Sequence, residues 1–84
     1  MSNLDEPCQL QVLERCERDH NMARYYVLSV EPSLFAEWSL VREWGRIGHG
    51  CKRRVELHLN EQRAKEALDA WLARKLRRGY DVVA

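Results

Sequence analysis

Trp44-Gly45-Arg46-Ile47-Gly48-His49-Gly50 closes an alternating apolar run and opens a turn with three glycines in six residues. This stretch decides how the chain is laid out. Glycine permits positive φ or a close backbone approach. Arginine offers a planar fork of donors matched to phosphate or carboxylate. Tryptophan offers a flat face for a sugar, base or cation. The stretch therefore reads as a strand end that turns a recognition corner.

Outward from it, alternation predicts strands on both sides. On the N-terminal side, Leu34–Trp44 is expected as a strand with Ala36, Trp38 and Leu40 on the core face. Arg42 and Trp44 continue that parity toward the sheet's rim. On the C-terminal side, Cys51–Leu59 resumes alternation, with Val55, Leu57 and Leu59 read as inward and Arg54, Glu56 and His58 as outward. His58 is then a surface histidine. Lys52, Arg53 and Arg54 begin that strand, close in sequence to Arg46.

Further upstream, Arg24–Val30 is rich in aromatic and β-branched residues and predicts a strand. Glu31-Pro32-Ser33 follows as its hairpin turn. Cys8–Glu17 predicts another strand, with a bulge where Val12 and Leu13 break the alternation. Residues 18–23 read as a polar connection, and Met1–Pro7 as a flexible tail. Downstream, Asn60 is an N-cap and Glu61 suits the first turn of a helix. Ala64, Ala67, Leu68, Trp71, Leu72 and Leu76 recur at helical spacing, interrupted by Lys75, and Gly79 ends the helix. Tyr80–Val83 adds a short strand. The expected fold is α+β: a mostly antiparallel sheet of about four to five strands, with one amphipathic helix packed across it. Trp38, Leu40, Val55, Leu57, Leu68, Trp71 and Leu72 are the expected core.

The 84 residues suit one domain, over residues 8–84. A chain this short buries about 60–65% of its unfolded surface, which leaves little room for an internal cavity. No apolar run approaches the ~20 residues of a membrane span, and none resembles a signal peptide, so a cytoplasmic location is expected. The net charge of +1 hides an asymmetry. Residues 1–40 hold three arginines against seven acids, a net of −4. Residues 41–84 hold eleven basic residues against six acids, a net of +5, so a polyanion is drawn to the half that begins with the central corner.

Catalysis and metal chemistry find little support. Cys8, Cys16 and Cys51 form no C-x-x-C pair and are expected to be reduced and partly buried. His49, Cys51 and His58 lack the paired spacing of a zinc site, so no metal and no other cofactor is expected. Asp19-His20 is a neighbour pair on a loop, and neither a nucleophile–base pair nor a phosphate loop is recognisable. The chain is not expected to be an enzyme.

Three segments together resemble a WGR domain: Val41–Gly48 with its Trp44-Gly45-Arg46 tripeptide, Asn21-x-x-Arg24-Tyr25-Tyr26, and the helix end Lys75-x-x-x-Gly79-Tyr80. The resemblance covers residues 10–83 and four features in order. That family occurs in DNA-dependent poly(ADP-ribose) polymerases and in short bacterial proteins, where the domain stands alone. It implies an antiparallel sheet crossed by one helix, and recognition of DNA breaks near a 5′ end. Carried over by position, Trp44 packs on a terminal sugar and Arg46 takes a phosphate or an inter-domain role. Arg24 stands where lysine is commoner, Asn21 matches a family asparagine, and Cys51 replaces a residue that is usually polar. The polymerases' zinc fingers and catalytic domain have no counterpart in these residues.

Two functions follow. The first is a DNA-binding module favouring ends or nicks, with Trp44, Gly45, Arg46, Asn21, Arg24, Arg42, Lys52, Arg53 and Arg54 as its contact residues. The alternative is a protein-interaction or adaptor domain that offers the same surface to an acidic partner. The near-neutral total charge favours the alternative, because dedicated DNA binders are usually more basic. The sequence does not fix the oligomeric state.

Overall fold

The computed structural model describes residues 9–17 and 22–84; the tail at Met1–Pro7, Cys8, the connection at 18–21 and Asn21 lie outside them. Five strands and one helix follow in order: β1 (Gln9–Glu17), β2 (Met22–Pro32), β3 (Trp38–Arg46), β4 (Cys51–His58), α1 (Glu61–Arg77) and β5 (Asp81–Val82). They make one sheet in the order β4-β3-β2-β1-β5, antiparallel at each pairing. The fold is α+β, as the alternation and the single helical stripe predict.

Helix α1 starts where its capping chemistry places it. The Asn60 side chain accepts a hydrogen bond from the Arg63 amide at 2.9 Å, satisfying one of the helix's orphan donors. Glu61 and Lys65 pair at 3.3 Å one turn apart. At the other end Gly79 has φ +94°, and the Tyr80 amide donates back to the Lys75 carbonyl at 3.1 Å. That reversal returns the chain to the sheet as β5 beside β1.

Against the sheet, α1 presents Ala64 and Leu68, which are buried with Leu13, Tyr26, Leu28, Val30, Leu40 and Tyr80. Trp38, Trp44, Ala67, Trp71 and Leu72 pack around this cluster while remaining partly exposed.

Several expectations are corrected. Strand β1 has no bulge: Gln9 through Glu17 pair one-to-one with Val30 through Met22. Leu13 turns to the core, whereas the Val12 amide and carbonyl bond Ala84 and Val83, both at 2.8 Å. Strand β3 begins at Trp38, because residues 33–37 form a turn closed by a 2.8 Å bond from the Ser33 amide to the Glu37 carbonyl. Within it Ala36 adopts φ +67°, so it is a turn residue and not part of the core face.

The largest correction is the parity of β4. Gly45 pairs with Cys51, so Lys52 stands opposite Trp44, Arg54 opposite Arg42, Glu56 opposite Leu40 and His58 opposite Trp38. The polar residues therefore share the helix side. Val55 and Leu57 lie on the side away from α1 at 50% and 58% exposure, and Leu59 lies beyond the strand at 76%. A shift of one residue exchanges every side chain between faces, and the β3–β4 turn sets that register. His58 is consequently half-buried, with Nε2 3.6 Å from Glu56 Oε1, rather than a surface residue. The free thiols of Cys16 and Cys51 are exposed, not partly buried.

Candidate nucleic-acid interface

The corner at Trp44 is built on a pile of rings. Trp44, cross-strand from Tyr26, lies nearly parallel to it, with centroids 5.5 Å apart and planes 12° from parallel. Trp71 of α1 stacks on Tyr26 at 6.5 Å, and Tyr80 meets Tyr26 edge-on at 6.2 Å. Such offset and edge contacts suit the quadrupoles of aromatic rings. Trp44 serves both as a core plug and as a plate: it packs on the core cluster and also lines an open cleft.

Cations are threaded among the rings. The Arg42 guanidinium lies 4.0 Å from the Trp71 ring and 5.5 Å from the Trp44 ring. It donates to the Tyr26 hydroxyl at 3.1 Å and pairs with Glu56 at 3.1 Å. Lys75 Nζ sits 4.4 Å from the Tyr26 ring, between Trp71 and Tyr80. Burial against these rings, then repulsion from Arg78, Arg42 and Arg74, holds its pKa below the ordinary lysine value. Lys75 thus fills the break in the helical stripe with a cation that the aromatic faces accommodate.

Beside this pile, Arg24, Trp44, Gly45, Arg46, Gly50, Lys52 and Tyr80 line a cleft of about 320 Å³. Gly45 is required there by space. A Cβ at this position would lie 2.8 Å from the Gly50 carbonyl oxygen and 3.2 Å from Cys51 Cα, both backbone atoms that cannot yield cheaply. The glycine lets the β3–β4 turn close tightly beneath Trp44 and Arg46. Gly48, with φ +88°, lets the turn reverse.

Five of the nine sequence-derived candidates meet in this cleft: Trp44, Gly45, Arg46, Arg24 and Lys52. Arg42 does not line it; its charge is committed within the ring pile. Arg53 alternates to the opposite sheet face, 3.7 Å from Glu43. Arg54 shares the helix side with Lys52 and is exposed, but stands outside the cleft lining. Asn21 lies outside the described residues. The single basic surface expected from Arg46, Lys52, Arg53 and Arg54 is therefore split between faces, because consecutive strand residues point oppositely. Tyr80 was missed as a wall of the cleft. Its signal was Gly79, whose C′ geometry aims the next residue back at the sheet.

The model of the family described as the WGR domain matches residues 10–84. The chain is a member of the WGR domain family. A similar protein is the uncharacterized protein y4dW of Sinorhizobium fredii (strain NBRC 101917 / NGR234), 40% identical over 77 residues. That match covers 92% of this chain and 37% of the relative, so the chain spans little more than a third of the relative's length. No solved structure matches the chain significantly. WGR domains are nucleic-acid-binding modules rather than catalytic domains. In this WGR domain the name-giving tripeptide supplies the ring, the tight turn and one guanidinium of a single cleft. Among the described residues, no helix is long and apolar enough to cross a membrane.

Proposed function

We propose that this WGR domain binds DNA at ends or nicks through the Trp44 cleft. The observation that carries the reading is the meeting of the flat Trp44 ring with three cations, Arg24, Arg46 and Lys52, in one open cleft. Phosphates need the cations, while a terminal sugar or base needs the plate. Trp44 is backed by Tyr26, so the plate is pre-positioned and little side-chain entropy is lost on binding. Arg46 and Lys52 leave from neighbouring strands on the helix side and take phosphates on either side of the capped sugar.

The test pairs stability with DNA form. Trp44→Ala should cost about 1–2 kcal/mol of stability, within the ordinary range of single substitutions. It should also lose up to about 1–3 kcal/mol of affinity for linear DNA. Affinity for closed-circular DNA, which offers phosphates without an end, should change much less. Equal losses on both forms would leave charge attraction and remove end recognition.

A further inference from the structure

Arg24 stands directly opposite Arg46 on β3 and directly opposite Arg15 on β1. Three arginines thus form one row across three adjacent strands, on the side of the sheet that carries Trp44. The row concentrates like charge along one line across the sheet, where a polyanion would relieve the repulsion between facing guanidinium groups. Arg24 and Arg46 are exposed, and Arg15 is half-buried. The Arg15 side chain reaches toward the helix end, with its Nε 3.7 Å from where a Cβ would stand on Gly79. Gly79 precedes Tyr80, a wall of the cleft. The row therefore leads out of the cleft and across the rim of the sheet. Arg15 and Arg24 also make contacts within the chain, so a phosphate adds to or exchanges with those contacts.

Resting on the proposed DNA-end reading, we infer that the preferred ligand is a DNA end carrying a single-stranded overhang. Its terminal nucleotide caps on Trp44 and its backbone runs along Arg46, Arg24 and Arg15. Neighbouring strands are about 4.8 Å apart, so the path from Lys52 on β4 to Arg15 on β1 is roughly 14 Å. That length accommodates about four nucleotides at the roughly 3.4 Å rise of a stacked strand. A single file of cations beside one flat ring follows one backbone. A duplex presents two, separated by grooves about 6 and 12 Å wide.

The experiment measures binding of one duplex in four forms: closed-circular, linear blunt, and linear with a four-nucleotide overhang of either polarity. Wild type, Arg15→Gln and Arg15→Lys are titrated across a salt series, with thermal midpoints recorded. Wild type should bind one overhang polarity about tenfold tighter than the blunt end, from two to three added phosphate contacts. Arg15→Gln should lose about threefold of that gain and flatten the overhang's salt slope by about 0.7, leaving the blunt end unchanged. Arg15→Lys should restore the slope. Equal binding of blunt and both overhang ends, with linear still preferred over circular, overturns the overhang inference alone. Equal binding of linear and circular forms overturns the end reading beneath it. Equal loss on blunt and overhang DNA in Arg15→Gln would make Arg15 a structural residue. The wild-type comparison decides the matter even if the variants fold poorly.

Discussion

Lys75 carries its charge into a ring of aromatic faces and guanidinium groups, and its depressed pKa has a thermodynamic consequence. The unfolded chain keeps this amine protonated to higher pH than the folded chain does. Unfolding therefore takes up protons in that window, and raising the pH toward the ordinary lysine value favours the fold. Tyr25 acts in the opposite sense: its hydrogen bond to the Cys51 side chain, then burial, raise the phenol's pKa, so stability is lost as pH passes the ordinary tyrosine value. A comparison with Lys75→Met cancels the Tyr25 contribution because both proteins share it. The thermal midpoint of wild type minus that of Lys75→Met should climb as the pH rises toward the ordinary lysine value. A constant difference would mean that Lys75 titrates alike in both states.

At the scale of elements, α1 and β4 make contrasting claims. Trp71 is held between Arg42 and Arg74, whose guanidinium carbons lie 4.0 and 4.4 Å from its ring, and it stacks on Tyr26. Trp71→Ala should cost about 3 kcal/mol, the low end for tryptophan because the ring is not fully buried. Leu57→Lys should shift the midpoint only slightly, because Leu57 is 58% exposed on the face away from α1. Thermal unfolding of the two variants checks the β4 register, since the inward reading of Leu57 requires large losses from both. The helix was legible from its caps and apolar stripe, and the existence of the strands from mostly alternating segments, while their ends and the β1 pairing were not. The β4 face was not, because Val55, Leu57 and Leu59 were assigned inward on hydrophobicity while a turn chose the register. In the cleft, Trp44, Arg46 and Lys52 were legible as sequence neighbours. Arg15 and Tyr80 come from distant segments: Arg15 joins the corner through the pairing of β1 with β2, and Tyr80 through the Gly79 reversal and its edge contact with Tyr26.

For the whole molecule, the charge asymmetry between the two halves of the chain becomes directional. The cleft sits at the Arg46 end of β3, while the turn bearing Leu34 and Phe35, exposed at 92% and 80%, sits at the Trp38 end. The nine residues of β3 separate these ends by roughly 30 Å, within an overall length of 45 Å. Polyanion binding should therefore depend on which end and which face a cation occupies, not on total charge. Arg46→Ala should flatten the salt dependence of duplex DNA binding by about 0.9, one phosphate contact, whereas Arg53→Ala on the opposite face should leave it nearly unchanged. Equal effects would show that the two faces share the ligand.

The order of strands in the sheet also sets a sequence of events in time. Strands β1 to β4 lie side by side in chain order, and each β2–β3 or β3–β4 pairing closes only a short loop. Only β5 departs from this, joining β1 through Leu13 and Val82 from nearly opposite ends of the described chain. Closing so long a loop is entropically costly early in folding, so β5 should dock last and detach first. Tyr80 immediately precedes β5, so partial unfolding there opens a wall of the cleft while the central sheet stays intact. Amide hydrogen exchange should be faster at Val83 than at Leu28, and DNA bound against Tyr80 should slow Val83 selectively. The candidate corner is in this sense latched by the two-residue strand that the chain adds last.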